Sequence, residues 1–192
     1  MCLFTYSAYL KLLKEDLQRL YEYNIQPALY IMQDYDRNHP LPGAGYCGPR
    51  GRRLLNLAYS IAFVCLLRID EVLRIEHRHV TLLPSGKLEI NLDYRKTSQH
   101  GGRCFHKLIS LLITHTDILP FILPPMPLEM QHLCVVSAYA EWVRVTNLVD
   151  GYVFRKLDSY DRIIQTNKAM VSLMIRKVSS SLHIHHSQLK CS

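Results

Sequence analysis

The chain has 192 residues, of which 48% are hydrophobic and 20% are charged, and its formal net charge is +7. This length and balance fit one well-cored globular domain with room for part of a second, and they exclude a disordered chain. The excess of Lys and Arg favours an anionic partner, and DNA is the first candidate.

Other features of the sequence narrow the compartment. The N-terminus lacks the basic start, compact apolar core and cleavage site of a secretory signal. The longest apolar run, Leu54 to Leu67, is too short to span a bilayer, and the six cysteines include no Cys-x-x-Cys pair. We therefore expect an intracellular protein, nuclear or cytoplasmic, without a membrane partner.

The first quarter of the chain predicts two helices and a loop. Residues 6–23 place four leucines on one face and charged residues elsewhere, which is typical of an amphipathic helix. A second, short helix is predicted from Pro27 to Tyr35. The Gly- and Pro-rich segment from Pro40 to Arg53 predicts a loop.

A strongly apolar segment, Ile61 to Ile75, predicts a mostly buried helix with a period of 3.6 residues. It is interrupted by Arg68 and, three residues later on the same helical face, by Glu71. An Arg at the mouth of a buried helix is costly unless it is paired or holds an anion. A guanidinium that a carboxylate orients over a cleft suits a phosphate group, whereas the alternative is a helix-end ion pair.

The pattern then changes to strands. Val80 to Leu83 and the alternating residues from Leu88 to Tyr94 predict a hairpin. A third strand is predicted from Arg103 to Ile113, after a turn that contains two glycines. Lys96 is therefore expected near the tip of a hairpin rather than in a core.

Prolines break the pattern from Pro120 to Pro127, and two helices are predicted beyond them, from Cys134 to Asn147 and from Lys168 to Val178. The polar tail, residues 179–192, is predicted to be disordered. The predicted fold class is α+β, mainly α-helical with a small antiparallel three-stranded sheet.

The tail carries residue types that ligate metals, but their spacing fits no recognisable zinc module. We therefore predict no metal and no other cofactor. The residues concerned are His183, His185, His186 and Cys191.

Five arginines outside the apolar segment are candidates for contacts with a DNA backbone. They lie in loops or at element ends, where they can meet phosphates without reading a base sequence. The alternative is a solvated charged surface. The residues are Arg50, Arg52, Arg53, Arg95 and Arg103.

The segments Leu66 to Glu71 and Arg95 to Gly101 are the core of a resemblance to a known family. With Tyr35 to Pro40, His132 to Trp142 and Gly151 to Lys156, they resemble the catalytic domain of the tyrosine recombinases, or phage-type integrases. The likeness is strongest to fungal, transposon-borne members. It runs from about residue 27 to about residue 156.

The resemblance implies a partial integrase-like catalytic domain over residues 27–178, with the end of a core-binding domain in residues 1–26. In this family a tyrosine attacks the scissile DNA phosphate, protein cations stabilise the developing charge, and no metal is needed. Arg68 would be a phosphate clamp, Glu71 its support, and Lys96 the general acid. The alternative for Lys96 is an ordinary exposed turn lysine. Self-association is implied for the intact family.

The chain departs from the family pattern after Lys156. The resemblance implies a His-x-x-Arg box there, but the segment His183 to Lys190 has Leu189 at the Arg position, and no tyrosine follows Tyr160. We therefore predict a C-terminally truncated recombinase-like domain of a mobile element that binds DNA and is inactive as given. The alternatives are a non-catalytic DNA-binding remnant and a helical interaction protein without a nucleic-acid role.

Overall fold

The computed structural model of the chain describes residues 14–39, 47–93 and 119–166. Several predictions fall outside these ranges and stay predictions. They are the strand from Arg103 to Ile113, the helix from Lys168 to Val178, the disordered tail, and the positions of Arg95, Lys96 and Arg103.

Helices dominate the described part of the chain. Helix α1 comprises residues 14–24, and it is followed by α2 (Pro27–Tyr30), α3 (Pro49–Val64), α4 (Ile69–Val72) and α5 (Val135–Thr146). The described residues also include two 3-10 helices, η1 (His77–His79) and η2 (Leu128–Leu133). Together with a small sheet, these elements confirm the predicted fold class, α+β and mainly helical.

The central element is α3, which is buried along most of its length. Helix α5 packs antiparallel to it. Arg53, near the start of α3, pairs with Glu141, whereas Ser60, near its end, donates to the carbonyl of His132, just before α5 begins. The apolar residues of α3 that this packing buries are Leu54, Leu55, Leu57, Ala58 and Ile61.

Helix α3 begins at Pro49, inside the segment that was predicted to be a loop. Proline suits the first helical position because its missing N–H is not needed there. Gly48 precedes it at a point of close approach, where a Cβ atom would lie 2.6 Å from Cγ of Asp161 and 2.7 Å from Cγ of Tyr35. The Gly-Pro pair therefore marks the start of a helix rather than a continuing loop.

The predicted helix from Ile61 to Ile75 is two helices separated by a turn. Leu66 adopts the left-handed conformation, with a φ of 51°, and the N–H of Leu67 donates to the carbonyl of Ala62 at 3.0 Å. This is the hydrogen-bond pattern that ends a helix through a left-handed residue. The turn brings Arg68 to the start of α4 instead of the middle of a long helix.

The sheet contains β1 (Val80–Leu82), β2 (Leu88–Ile90) and β3 (Phe121–Leu123), in that order and fully antiparallel. The β1–β2 hairpin confirms the prediction for that region. Strand β3 lies within the proline-rich segment that was predicted to break structure, and that prediction is wrong. The prolines flank the three-residue strand, and an edge strand tolerates them there.

The core continues from α3 into the sheet and into the segment after α5. Trp142 is fully buried, and its indole N–H donates to the carbonyl of Val153 at 2.9 Å, which fixes that segment beside α5. Phe154, the residue after Val153, is also fully buried. Among the described helices, none has the length and apolar character needed to cross a bilayer.

Candidate functional site

Arg68 occupies the N-cap position of α4 and its side chain is exposed to solvent. Its neighbour Leu67 is buried, so the turn anchors the backbone on the core while the arginine faces water. Within the described ranges, the guanidinium of Arg68 makes no hydrogen bond and no ion pair. An exposed guanidinium that the fold does not use is available to bind an anion.

Glu71 supports Arg68 through the backbone rather than through the guanidinium. Its buried carboxylate accepts the backbone N–H of Arg68 at 2.8 Å. A glutamate at the third helical position commonly reaches back to the N-cap in this way, and its charge also suits the helix N-terminus. The expected guanidinium–carboxylate pair is therefore replaced by a capping bond that holds the backbone of Arg68.

The other predicted catalytic residue, Lys96, lies outside the described residues, as do Arg95 and Arg103. The sequence contains one His-x-x-Arg tetrapeptide, His100 to Arg103, and it lies in this same segment between β2 and β3. The shared site for Lys96 and Arg68 that the resemblance implies therefore stays a prediction.

Arg53 was predicted to contact DNA, but it is buried and bonded within the fold. Its Nη1 atom donates to the carbonyl of Tyr30 at 2.7 Å and to that of Pro49 at 3.0 Å. Its Nε atom donates to Glu141 at 3.2 Å, and the guanidinium stacks 3.7 Å from the centre of the Tyr30 ring. These contacts join α2, α3 and α5, so this guanidinium serves packing and the DNA prediction for it is corrected.

Arg52 needs the same correction. Its side chain is fully buried, its Nη1 atom lies 3.4 Å from Oδ1 of Asn24, and its guanidinium lies 5.1 Å from the centre of the Tyr23 ring. Asn24 in turn donates to Asn56 at 2.7 Å, which links α1 to α3. In a helix that begins at Pro49, Arg52 and Asn56 are four residues apart and lie on one face. This spacing could have indicated their burial, but it has no meaning in the loop that was predicted for residues 40–53.

Arg50 is the member of the predicted group that stays half-exposed among the described residues. Its backbone N–H donates to Asp161 at 2.5 Å, and the N–H of Gly51 donates to the other oxygen of that carboxylate at 2.8 Å. Asp161 thus caps α3 from a distant part of the chain. Burial raises the pKa of Asp161, and the two N–H donors and nearby arginines oppose that rise.

A second basic stretch, around η1, is neutralised by carboxylates. Arg78 bonds Glu76 at 2.9 Å and Asp93 at 3.0 Å. His79 is buried, its Nδ1 atom accepts the N–H of Glu76, and its Nε2 atom therefore donates to Asp93 at 2.9 Å. These side chains hold one another and contribute little positive charge to a DNA-facing surface.

His77 and Arg155 are both buried and do not contribute to the exposed surface. Nδ1 of His77 is 3.0 Å from the Tyr139 hydroxyl, and Arg155 donates to the carbonyl of Asp150 at 2.8 Å. Burial, and then the charge of Arg155, lower the pKa of His77 below its ordinary value. His77 is therefore neutral at pH 7 and is not a phosphate contact.

Within residues 14–39, 47–93 and 119–166, no cluster of three or more His, Cys, Asp or Glu side chains is arranged to hold a metal ion. A comparison with models of known protein families and with curated proteins finds no match. The family resemblance therefore stays an expectation, and the functional argument depends on Arg68 and its surroundings.

Proposed function

We propose that this chain is a DNA-binding domain of the tyrosine-recombinase type, in which Arg68 contacts a backbone phosphate. The observation that supports the proposal is the state of the Arg68 side chain, which is exposed, unpaired among the described residues and held at the backbone by Glu71. A guanidinium can donate two parallel hydrogen bonds to one phosphate group. An arginine whose backbone is fixed, and whose guanidinium no described residue binds, is suited to that contact.

The elements around Arg68 also support the proposal. Helix α4 leads through η1 directly into β1, and Lys96 follows β2 in the sequence. The resemblance implies that the phosphate-binding arginine and the general-acid lysine act on the same DNA phosphate. We limit the proposal to DNA binding without strand cleavage, because the side-chain geometry that supports it is that of an exposed cation and not of a nucleophile.

The experiment is a DNA-binding measurement over a series of salt concentrations. Replacing Arg68→Ala should weaken binding several-fold and make the slope of log K against log salt shallower by about 0.9, the effect of one lost phosphate contact. Arg68→Lys should reduce the slope less than Arg68→Ala does, because lysine keeps the charge but cannot donate two parallel hydrogen bonds to one phosphate. Lys87→Ala, in the exposed turn between β1 and β2, removes one charge elsewhere and is the matched control.

Two outcomes would redirect the proposal. Equal binding by the wild type and Arg68→Ala would favour a helical interaction protein whose Arg68 has no nucleic-acid role. A protein–DNA adduct on nicked DNA that survives denaturation would reveal a nucleophile and contradict binding without cleavage.

A further inference from the structure

A groove lies at the opposite end of α3 from Arg68, and we name it the Arg50 groove. It is bounded by the start of α3, the end of α5 and the segment 162–165, and it is an open cavity of about 290 Å³. Its described lining contains two arginines, two amides, one hydroxyl and two apolar side chains: Arg50, Arg162, Asn147, Gln165, Thr146, Val145 and Ile163. No carboxylate is among these lining residues.

The two guanidinium groups of the groove are held differently. Arg162 donates to Asp158 at 3.2 Å and lies 4.9 Å from the centre of the Tyr160 ring, so its position is restricted. The side chain of Arg50 makes no hydrogen bond and no ion pair with a described residue, although its charge is close enough to favour the Asp161 carboxylate. One arginine with a restricted side chain and one with an uncommitted side chain thus line the same cavity.

The neighbouring carboxylates are already occupied by donors. Asp158 accepts the N–H groups of Tyr160 and Arg162 in addition to the guanidinium of Arg162. Asp161 is buried, and its two oxygens accept the N–H groups at the start of α3. An anion in the groove would therefore meet cationic and amide donors, with the acidic side chains turned to other partners.

We infer that the Arg50 groove binds a second phosphate of the DNA backbone, through Arg50 and Arg162. The inference rests on the proposed function for the identity of the partner. Helix α3 has 16 residues and is therefore about 24 Å long, so the groove and Arg68 cannot contact the same phosphate. Phosphates along one strand are about 3.4 Å apart in axial rise, so the two contacts would span about seven base pairs.

The test uses the full chain with ¹⁵N-labelled arginine, and it follows the Nε–H signals of Arg50, Arg162 and Arg68 in nuclear magnetic resonance spectra. Variants Arg50→Gln, Arg162→Gln and Arg68→Gln assign the signals. A duplex of about 20 base pairs is added in one arm and inorganic phosphate in the other. We expect the duplex to shift the signals of Arg50 and Arg162, and inorganic phosphate at the same phosphate concentration to shift them much less.

The outcomes separate this inference from the proposed function. Shifts at Arg68 alone would overturn the inference and leave the proposed function standing. Shifts at Arg50 and Arg162 without a shift at Arg68 would support the groove and overturn the proposed role of Arg68. Groove shifts that inorganic phosphate reproduces in full, or no shift at any of the three, would overturn the inference as well.

The salt dependence gives a second measurement. Arg50→Gln should make the slope of log K against log salt shallower by about 0.9. The cap of α3 should survive, because Asp161 binds the backbone N–H of residue 50 rather than its side chain. Arg144→Gln is the matched control, since Arg144 is exposed on α5 and does not line the groove. An equal change in both variants would mean that net charge, not the groove, is responsible.

Discussion

Leu66 has a backbone conformation that is unusual for a residue other than glycine. Its φ of 51° ends α3, yet its side chain is 66% exposed and contributes little to the core. The left-handed region costs an ordinary residue about 1 kcal/mol or more relative to glycine. The residue that directs the backbone toward Arg68 is therefore held there by the surrounding fold.

Replacing Leu66→Gly should raise the free energy of unfolding by about 1 kcal/mol, because glycine adopts this conformation without strain. Urea denaturation of the full chain measures the change. Leu66→Ala is the control, since it removes most of the side chain but keeps the strain, and it should give no gain. Equal effects of the two substitutions would show that the exposed side chain, not the backbone, sets the stability of this turn.

At the scale of elements, α3 depends on a cap from outside its own sequence neighbourhood. The residue before the helix is Gly48, which has no side chain, and the carboxylate of Asp161 takes its place by accepting two N–H groups. Asp161 itself has a φ of 59° within a tight loop. Stability of the central helix is thus tied to the loop after α5.

Substitutions of Asp161 should separate capping from backbone strain. Asp161→Gly keeps the left-handed conformation and loses the cap, so it should destabilise the fold by about 1–2 kcal/mol. Asp161→Ala should cost about 1 kcal/mol more, because alanine adds the strain. Asp161→Asn, which tolerates this conformation and keeps one acceptor, should be the mildest. Chemical denaturation of the three variants checks the order, and a loss in Asp161→Asn as large as in Asp161→Ala would contradict it.

At the scale of the molecule, His77 joins the sheet region to α5 and to the segment after it. Its backbone N–H donates to Gly151, and its ring contacts Tyr139. The titratable and charged groups around it are Tyr139, Arg155 and Asp150. Because burial and Arg155 lower its pKa in the folded state, the unfolded chain binds a proton more readily than the folded chain.

The sign of the pH dependence follows from that difference. The contribution of His77 to stability is present above its unfolded pKa of about 6.5 and is lost as the pH falls below it. His77→Gln should therefore reduce the difference in the free energy of unfolding between about pH 7 and pH 5. His132, whose pKa burial also lowers, should keep part of the dependence. A pH dependence unchanged by His77→Gln would contradict this account.

The net charge of +7 does not show which cationic side chains are exposed to solvent. Arg52, Arg53 and Arg155 are buried, and Arg78 is neutralised by two carboxylates. Among the described residues, exposed cationic side chains include Arg68, Lys87 and Arg144, and Arg50 is half-exposed. The proposed interface is therefore defined by two separated places, Arg68 and the Arg50 groove, and not by the net charge alone.

Local patterns were enough to predict the β1–β2 hairpin and α5. Alternation and a period of 3.6 residues are properties of neighbouring residues, and these elements need nothing more to be recognised. The role of Glu71 was predicted in part, because spacing shows that it can reach Arg68 but not which group of Arg68 it binds.

The start of α3, the burial of its arginines and the place of β3 were set by contacts between distant parts of the chain. Arg53 is buried because Glu141, 88 positions away, supplies an acceptor, and α3 begins where it does with a cap 110 positions away. Burying a guanidinium is favourable only where such partners are brought to it, and leaving a helix end uncapped is costly. Which arginines face solvent and which face the core is therefore a property of the folded chain, because it depends on partners that no local pattern reveals.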